Sequence, residues 1–154
     1  AFTSQSFEYD CLNNILTCTT VSSSGATDIA TFKYTNSQDP TQLTSIEHKG
    51  NSAYPAVINL AYYADGRLKT DEAGRALMYD ASGRLLSVKT ADGAQAEYGY
   101  DGLNNLIFQS INSEEQYLYY RGSYLVNQVR QTQKQQDRFI AGLSGNAAVS
   151  HDTL

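Results

Sequence analysis

Aspartate is the chemically competent side chain that this sequence uses most regularly, always in one kind of setting. Asp10, Asp80 and Asp101 each follow a tyrosine, in Tyr9-Asp10-Cys11-Leu12-Asn13-Asn14-Ile15, Tyr79-Asp80-Ala81-Ser82-Gly83-Arg84-Leu85 and Tyr100-Asp101-Gly102-Leu103-Asn104-Asn105-Leu106. A degenerate copy, Tyr62-Tyr63-Ala64-Asp65-Gly66-Arg67-Leu68, carries its acid two places later. Such carboxylates could ligate calcium or work as paired acids. A catalytic pair is unique in a chain, however, whereas these acids repeat one position. Turn capping accounts for the repetition. An Asp side chain bonds its own backbone two residues on, and Gly or Asn tolerates a positive φ. Arg67, Arg84 and Arg121 follow the turns and are expected to pair with nearby surface carboxylates, which contributes ~0–1 kcal/mol each.

The other reactive groups form no constellation. His48 precedes a loop with no evident partner, and His151-Asp152 stands at a terminus expected to fray. Gly142-Leu143-Ser144-Gly145 lacks the Gly-x-Ser-x-Gly pattern of a nucleophile elbow. With a hairpin tip at Leu12-Asn13, Cys18 falls opposite Phe7, and Cys11 is too distant for a disulfide. The two cysteines alone do not make a metal site, since zinc takes about four ligands and only two histidines exist elsewhere in the chain. The expectation is no catalytic residue, no metal and no cofactor.

The elements that position these residues follow from the spacing. Starting at Tyr9, copies begin at Tyr34, Tyr62, Tyr79, Tyr100 and Tyr119, those at Tyr34 and Tyr119 being weaker. A period near 20 residues (roughly, by counting along the copies) signals an array of small like units. Each unit reads strand, turn, strand. Ala94, Ala96, Tyr98 and Tyr100 share one face of an extended segment, Gln95, Glu97 and Gly99 the other. Asp92-Gly93 between alternating segments is a strong hairpin signal. The predicted fold is all-β, an antiparallel meander of β-hairpin repeats without helix. Its turns centre near residues 11–14, 64–66, 81–83, 91–93, 101–104 and 112–115. Tyr79, Tyr100 and Tyr119 are expected to be equivalent and largely buried. Residues 21–27 and 49–55 read as loops, 36–41 as a longer turn, and 131–136 as a hairpin tip or its flank. A last weak strand pair is expected at 138–140 and 147–149.

Composition narrows the function. A net charge of −5 argues against nucleic acid, which needs a basic stripe. No run reaches the ~20 apolar residues of a membrane-spanning helix, and no basic, then apolar, leader precedes the first strand. The sequence starts in mid-pattern and reads as a single domain over 1–154, excerpted from a larger chain.

Tyr-Asp-x-x-Gly-Arg-Leu, followed by Asp-Gly and Tyr-x-Tyr-Asp, resembles the YD repeat of Rhs proteins. The resemblance covers roughly residues 7–149, and its closest flavour is the C component of bacterial insecticidal toxin complexes and the Rhs polymorphic toxins. Tyr9, Asp10, Tyr62, Gly66, Arg67, Tyr79, Asp80, Gly83, Arg84, Tyr100, Asp101 and Tyr119 are the motif residues, with a structural role. The resemblance implies a segment of an Rhs-type β-shell that encloses a C-terminal toxin domain and helps deliver it outside the bacterium. The implied partners are the rest of the shell and the enclosed toxin. The family's core closes with an Asp-Pro-x-Gly segment used in autoproteolysis. Here Asp39-Pro40-Thr41-Gln42 lies elsewhere and lacks the Gly, so self-cleavage does not carry over. A carbohydrate- or receptor-binding β-repeat module is the alternative, because tyrosine faces flanked by polar groups also suit glycans.

Overall fold

The computed structural model describes residues 1–50, 53–142 and 145–154. Among them every regular element is a β-strand, and no helix is long and apolar enough to cross a membrane. The chain divides into two compact units, Ala1–Arg75 and Ala76–Leu154.

The first unit contains β1 (Phe2–Tyr9), β2 (Ile15–Ser22), β3 (Thr27–Lys33), β4 (Ser45–Gly50) and β5 (Val57–Asn59), hydrogen-bonded in sequence order into one antiparallel sheet. The two-strand hairpin β6 (Ala61–Tyr62) and β7 (Leu68–Thr70) follows. Register decides which side chains share a face, since side chains alternate along a strand. Phe7 lies opposite Cys18, Cys18 opposite Ala30, and Ala30 opposite His48. Phe32 lies opposite Ile46, and Ile46 opposite Ile58. One face is therefore largely apolar, while Thr19, Thr31, Glu47 and Lys49 point the other way. Only Cys18, Ala30 and Ile58 on it are buried among the hydrophobic residues, and Phe7 is 45% exposed. The core of this unit is one side chain deep.

The second unit is an unbroken meander of β8 (Ala76–Tyr79), β9 (Leu85–Lys89), β10 (Gln95–Tyr100), β11 (Leu106–Ile111), β12 (Glu114–Arg121), β13 (Tyr124–Arg130), β14 (Gln135–Gly142) and β15 (Gly145–Thr153). Each strand pairs antiparallel with the next. Gly99 faces Phe108, whose Cβ would lie 3.2 Å from a methyl group at Gly99. The missing side chain makes room for the Phe108 ring, which packs on Tyr117 at 5.3 Å.

The all-β meander and its turn positions agree with the sequence reading, and the predicted opposition of Phe7 and Cys18 is observed. Both cysteines are free. Several details differ. Residues 49–55 were expected to be a loop, but β4 continues through Gly50 because Lys49 and Gly50 pair with Ile29 and Asp28. The last strand pair is long, β14 and β15 running to Gly142 and Thr153. His151 and Asp152 thus sit within a paired strand and not in a frayed tail. Leu143 and Ser144 lie outside the described residues.

Tyr119 is not equivalent to Tyr79 and Tyr100. The equivalent residue is Tyr120, which pairs with Leu125 after a register shift at Tyr119/Tyr120. Tyr119 pairs with Asn127 and is 51% exposed. A shift of one residue moves a side chain to the opposite face, and the Tyr119-Tyr120 doublet offers no local signal for choosing between them. Tyr119→Ala is expected to change stability by no more than about 0.5 kcal/mol, as for exposed substitutions. Tyr100→Ala, which removes a half-buried ring that Arg84 covers at 5.0 Å, should cost about 2 kcal/mol. Urea unfolding of both variants checks the ranking, and equal losses would show that the two positions are equivalent after all.

Candidate functional site

The repeated carboxylates occupy one recurrent turn. Its first residue donates its N–H to the carbonyl four residues on and accepts a hydrogen bond from the N–H three residues on. Turns opening at Asp10, Ser22, Tyr63, Asp71, Asp80, Thr90 and Asp101 all share this pair of bonds. The fourth residue adopts the left-handed conformation, as at Asn13 (φ 64°), Gly83 (φ 84°) and Asn104 (φ 66°). This is the three-residue hairpin connection that ends in a left-handed residue and a bulge. The bulge places the preceding Tyr opposite the following aliphatic residue: Tyr9 with Ile15, Tyr62 with Leu68, Tyr79 with Leu85, Tyr100 with Leu106. The seven-residue motif is thus one physical object, an Asp-capped turn closed by a cross-strand Tyr–aliphatic pair.

Asp10, Asp80 and Asp101 each accept three hydrogen bonds from their own turn. Asp80 Oδ1 accepts the N–H groups of Ser82 (2.8 Å) and Arg84 (2.9 Å), and Oδ2 accepts Arg84 Nε (2.7 Å). Asp101 does the same with Leu103, Asn105 and the Asn105 amide, and Asp10 with Leu12, Asn14 and the Asn14 amide. The fifth residue of the Asp-opened turns is therefore Arg or Asn for one reason: it must donate to Oδ2. At Tyr63 no carboxylate opens the turn, and Asp65 replaces it, accepting the Arg67 N–H (3.1 Å) and guanidinium (2.8 Å from Nε). Gly66 supplies the left-handed residue there (φ 84°).

Some donors reach beyond their own turn. Arg84 Nη1 donates to the Asp101 carbonyl and to Asn104 Oδ1, both at 3.0 Å, so it clasps two turns. Asn14 Nδ2 donates to the Pro40 carbonyl at 3.0 Å. The Tyr34 hydroxyl donates to the Ile15 carbonyl (3.0 Å), and the Tyr62 hydroxyl to the Leu43 carbonyl (2.7 Å). Arg121 was expected to follow a turn, but it ends β12 and precedes one, with only Gly122 and Ser123 between it and its cross-strand partner Tyr124.

One member of the series escaped the sequence reading. Asp71-Glu72-Ala73-Gly74-Arg75 forms the same turn, with Asp71 Oδ1 accepting the N–H groups of Ala73 (3.1 Å) and Arg75 (2.9 Å). Arg75 Nε donates to Oδ2 at 2.7 Å. Thr70 stands where other copies carry Tyr, so a search anchored on Tyr passes over it. Asp-x-x-Gly-Arg alone would have found it.

The donors fix the acidity of these groups. Burial pushes Asp10 and Asp71 up, but donors from Asn14 and Leu12 to the first, and from Arg75 and Ala73 to the second, outweigh it and hold both below the ordinary value. The Arg84 N–H and guanidinium lower Asp80, and the Asn105 amide and N–H lower Asp101. A carboxylate with a depressed folded-state pKa stabilises the fold above its unfolded value, here 3.8. That stability is lost as pH falls through the folded value. Urea midpoints should therefore be nearly level from neutrality down to about pH 5 and drop below about pH 4. Equal midpoints at pH 7 and pH 3 would show that the caps contribute nothing.

Both histidines also have aspartate partners, contrary to expectation. His48 Nδ1 lies 2.8 Å from Asp28 Oδ2, and its ring stacks on Tyr54 at 5.2 Å. His151 Nδ1 lies 2.5 Å from Asp137 Oδ1, and Arg130 pairs with Asp137 Oδ2. Asp137 is buried; the donors of His151, then the charge of Arg130, hold its carboxyl low against desolvation. These pairs are diagonal or direct cross-strand contacts, so neither is readable before the register is known. Among the described residues no three His, Cys, Asp or Glu side chains converge on a metal site.

Capped hairpins repeated along continuous sheets define a class, the β-hairpin repeat proteins. Residues 79–113, which hold two complete motif copies, match the RHS Repeat family model. The chain thus resembles the Rhs/YD-repeat proteins. Among solved structures, the crystal structure of TcdB2-TccC3-Cdc42 matches with a TM-score of 0.72 at 16% identity, over 97% of this chain and 9% of that one. The crystal structure of TcdB2-TccC3 matches with a TM-score of 0.70, at the same identity and coverages. No curated protein matches the chain. The fold is that of a segment of an Rhs-type β-shell, and the chain spans 9% of the length of those solved chains.

Proposed function

We propose that this chain is a non-enzymatic part of an Rhs-type shell that encloses a toxin domain and helps deliver it outside the bacterium. Its partners are the remainder of that shell and the enclosed toxin. The observation that carries the reading is the repetition of one capped hairpin, in a fold matched over 97% of the chain by TcdB2-TccC3-Cdc42. The fold carries this reading, and the chemistry of the turns supports it, since the recurring carboxylates accept their hydrogen bonds from within their own turns. A row of cross-strand partners, Tyr98, Gln109, Gln116, Arg130 and Gln135, favours glycan binding as a second reading.

The test uses the natural protein with the sequence that follows residue 154. Limited proteolysis should leave the downstream domain protected, and disruption of the capped turns should expose it. A downstream domain cleaved as fast within the intact protein as alone would reject the shell. Growth arrest caused by residues 1–154 alone would reject the non-enzymatic role. Binding to a glycan array without protection of any domain would favour the second reading.

A further inference from the structure

The apolar face of the first unit carries a groove of about 290 Å³. Ala30, Phe32, Ile46 and Ile58 supply its apolar wall, and Asp28 and His48 stand at its polar end. The Asp28 side chain is 15% exposed and the His48 side chain 9%. His48 holds Asp28 Oδ2, but Asp28 Oδ1 is buried and has no hydrogen-bond partner. A carboxylate oxygen withdrawn from water without a donor is costly, more so than a neutral acceptor. Glu72 is a second acid on the groove, and among the described residues no lysine or arginine lines it. The charge that complements this end is positive and Oδ1 lacks a hydrogen-bond donor, and a protonated amine meets both needs at once. Tyr54, 67% exposed, also lines the groove. Its ring stacks on His48 at the polar end, and an aromatic π-face favours a cation beside it.

We propose that this groove binds a small organic ammonium ion, a single-ring apolar body bearing one protonated amine that donates to Asp28 Oδ1. The volume is at the lower limit of ligand pockets, which admits a body of this size and little more. The inference rests on the geometry of the first unit and is independent of the shell reading.

The probe is 2-phenylethylamine at pH 7, titrated into the 154-residue chain and followed by amide chemical shifts. Its neutral isostere 2-phenylethanol and a Leu-Lys-Leu peptide amide are run alongside. The amine should shift Cys18, Ala30, His48 and Ile58 saturably and bind at least about tenfold more tightly than the alcohol. Asp28→Asn should abolish that preference and leave alcohol binding unchanged. If that variant fails to fold, the amine-to-alcohol ratio on the unaltered chain decides. Equal affinity for amine and alcohol overturns the proposal. So does the absence of shifts up to about 10 mM amine, or binding of the peptide alone.

Discussion

Gly50→Ala should destabilise the first unit by about 3 kcal/mol or more, summing backbone strain and overpacking. Gly50 ends β4 at φ 127°, a conformation that side chains disfavour. It also faces Asp28 across the β3–β4 ladder. An added methyl group would stand 2.2 Å from the Thr27 carbonyl oxygen and 3.1 Å from Asp28 Cα. These are backbone atoms of a hydrogen-bonded strand and cannot rotate away, so β4 must separate from β3 or bend. Gly25→Ala is the control. It shares a positive φ of 83°, but its methyl group would meet nothing within 4 Å, so only the conformational cost of about 1–2 kcal/mol remains. Urea midpoints at constant slope measure both. A Gly50→Ala loss no larger than that of Gly25→Ala would show that the ladder yields freely there.

Asp71→Ala should cost about 3 kcal/mol, since hydrogen bonds to a charged group contribute ~1.5–3 kcal/mol each and part is recovered by water. Asp71 is the most buried of the capping carboxylates described, at 4% exposure. Its loss leaves the Ala73 and Arg75 N–H groups and the Arg75 guanidinium without their acceptor. Asp71→Asn keeps an oxygen for the two N–H groups and should cost about 1 kcal/mol, because only the charge-assisted bond between Arg75 and Oδ2 is lost. Identical losses for the two variants would mean that the Arg75 pair carries the whole effect. No loss in either would remove the cap from the account of this fold.

How far the sequence could be read depends on distance along the chain. Asp80, Gly83, Arg84 and Leu85 meet within one turn, so their spacing already contains their geometry. The Tyr119–Tyr120 step could not be resolved, because the bulge that selects Tyr120 depends on how β12 aligns with β13. Asp71 was legible in principle and was missed only because Tyr is absent before it. His48 with Asp28 and His151 with Asp137 were not legible, being separated by 20 and 14 residues and joined only through strand register.

What the sequence determined by itself was therefore the set of local solutions: hairpin after hairpin, each turn closed by an acid, a left-handed Gly or Asn, and a donor. The physical reason is that these bonds span at most four residues and need no distant partner. Only the tertiary structure decided which strands align, and hence which side chains share a face. That alignment set the groove between β2 and β5, the orphaned Asp28 oxygen and the Arg84 clasp across two turns. Strand pairing is non-local, and a one-residue slip sends every side chain to the other face, so these features exist only once the register is made.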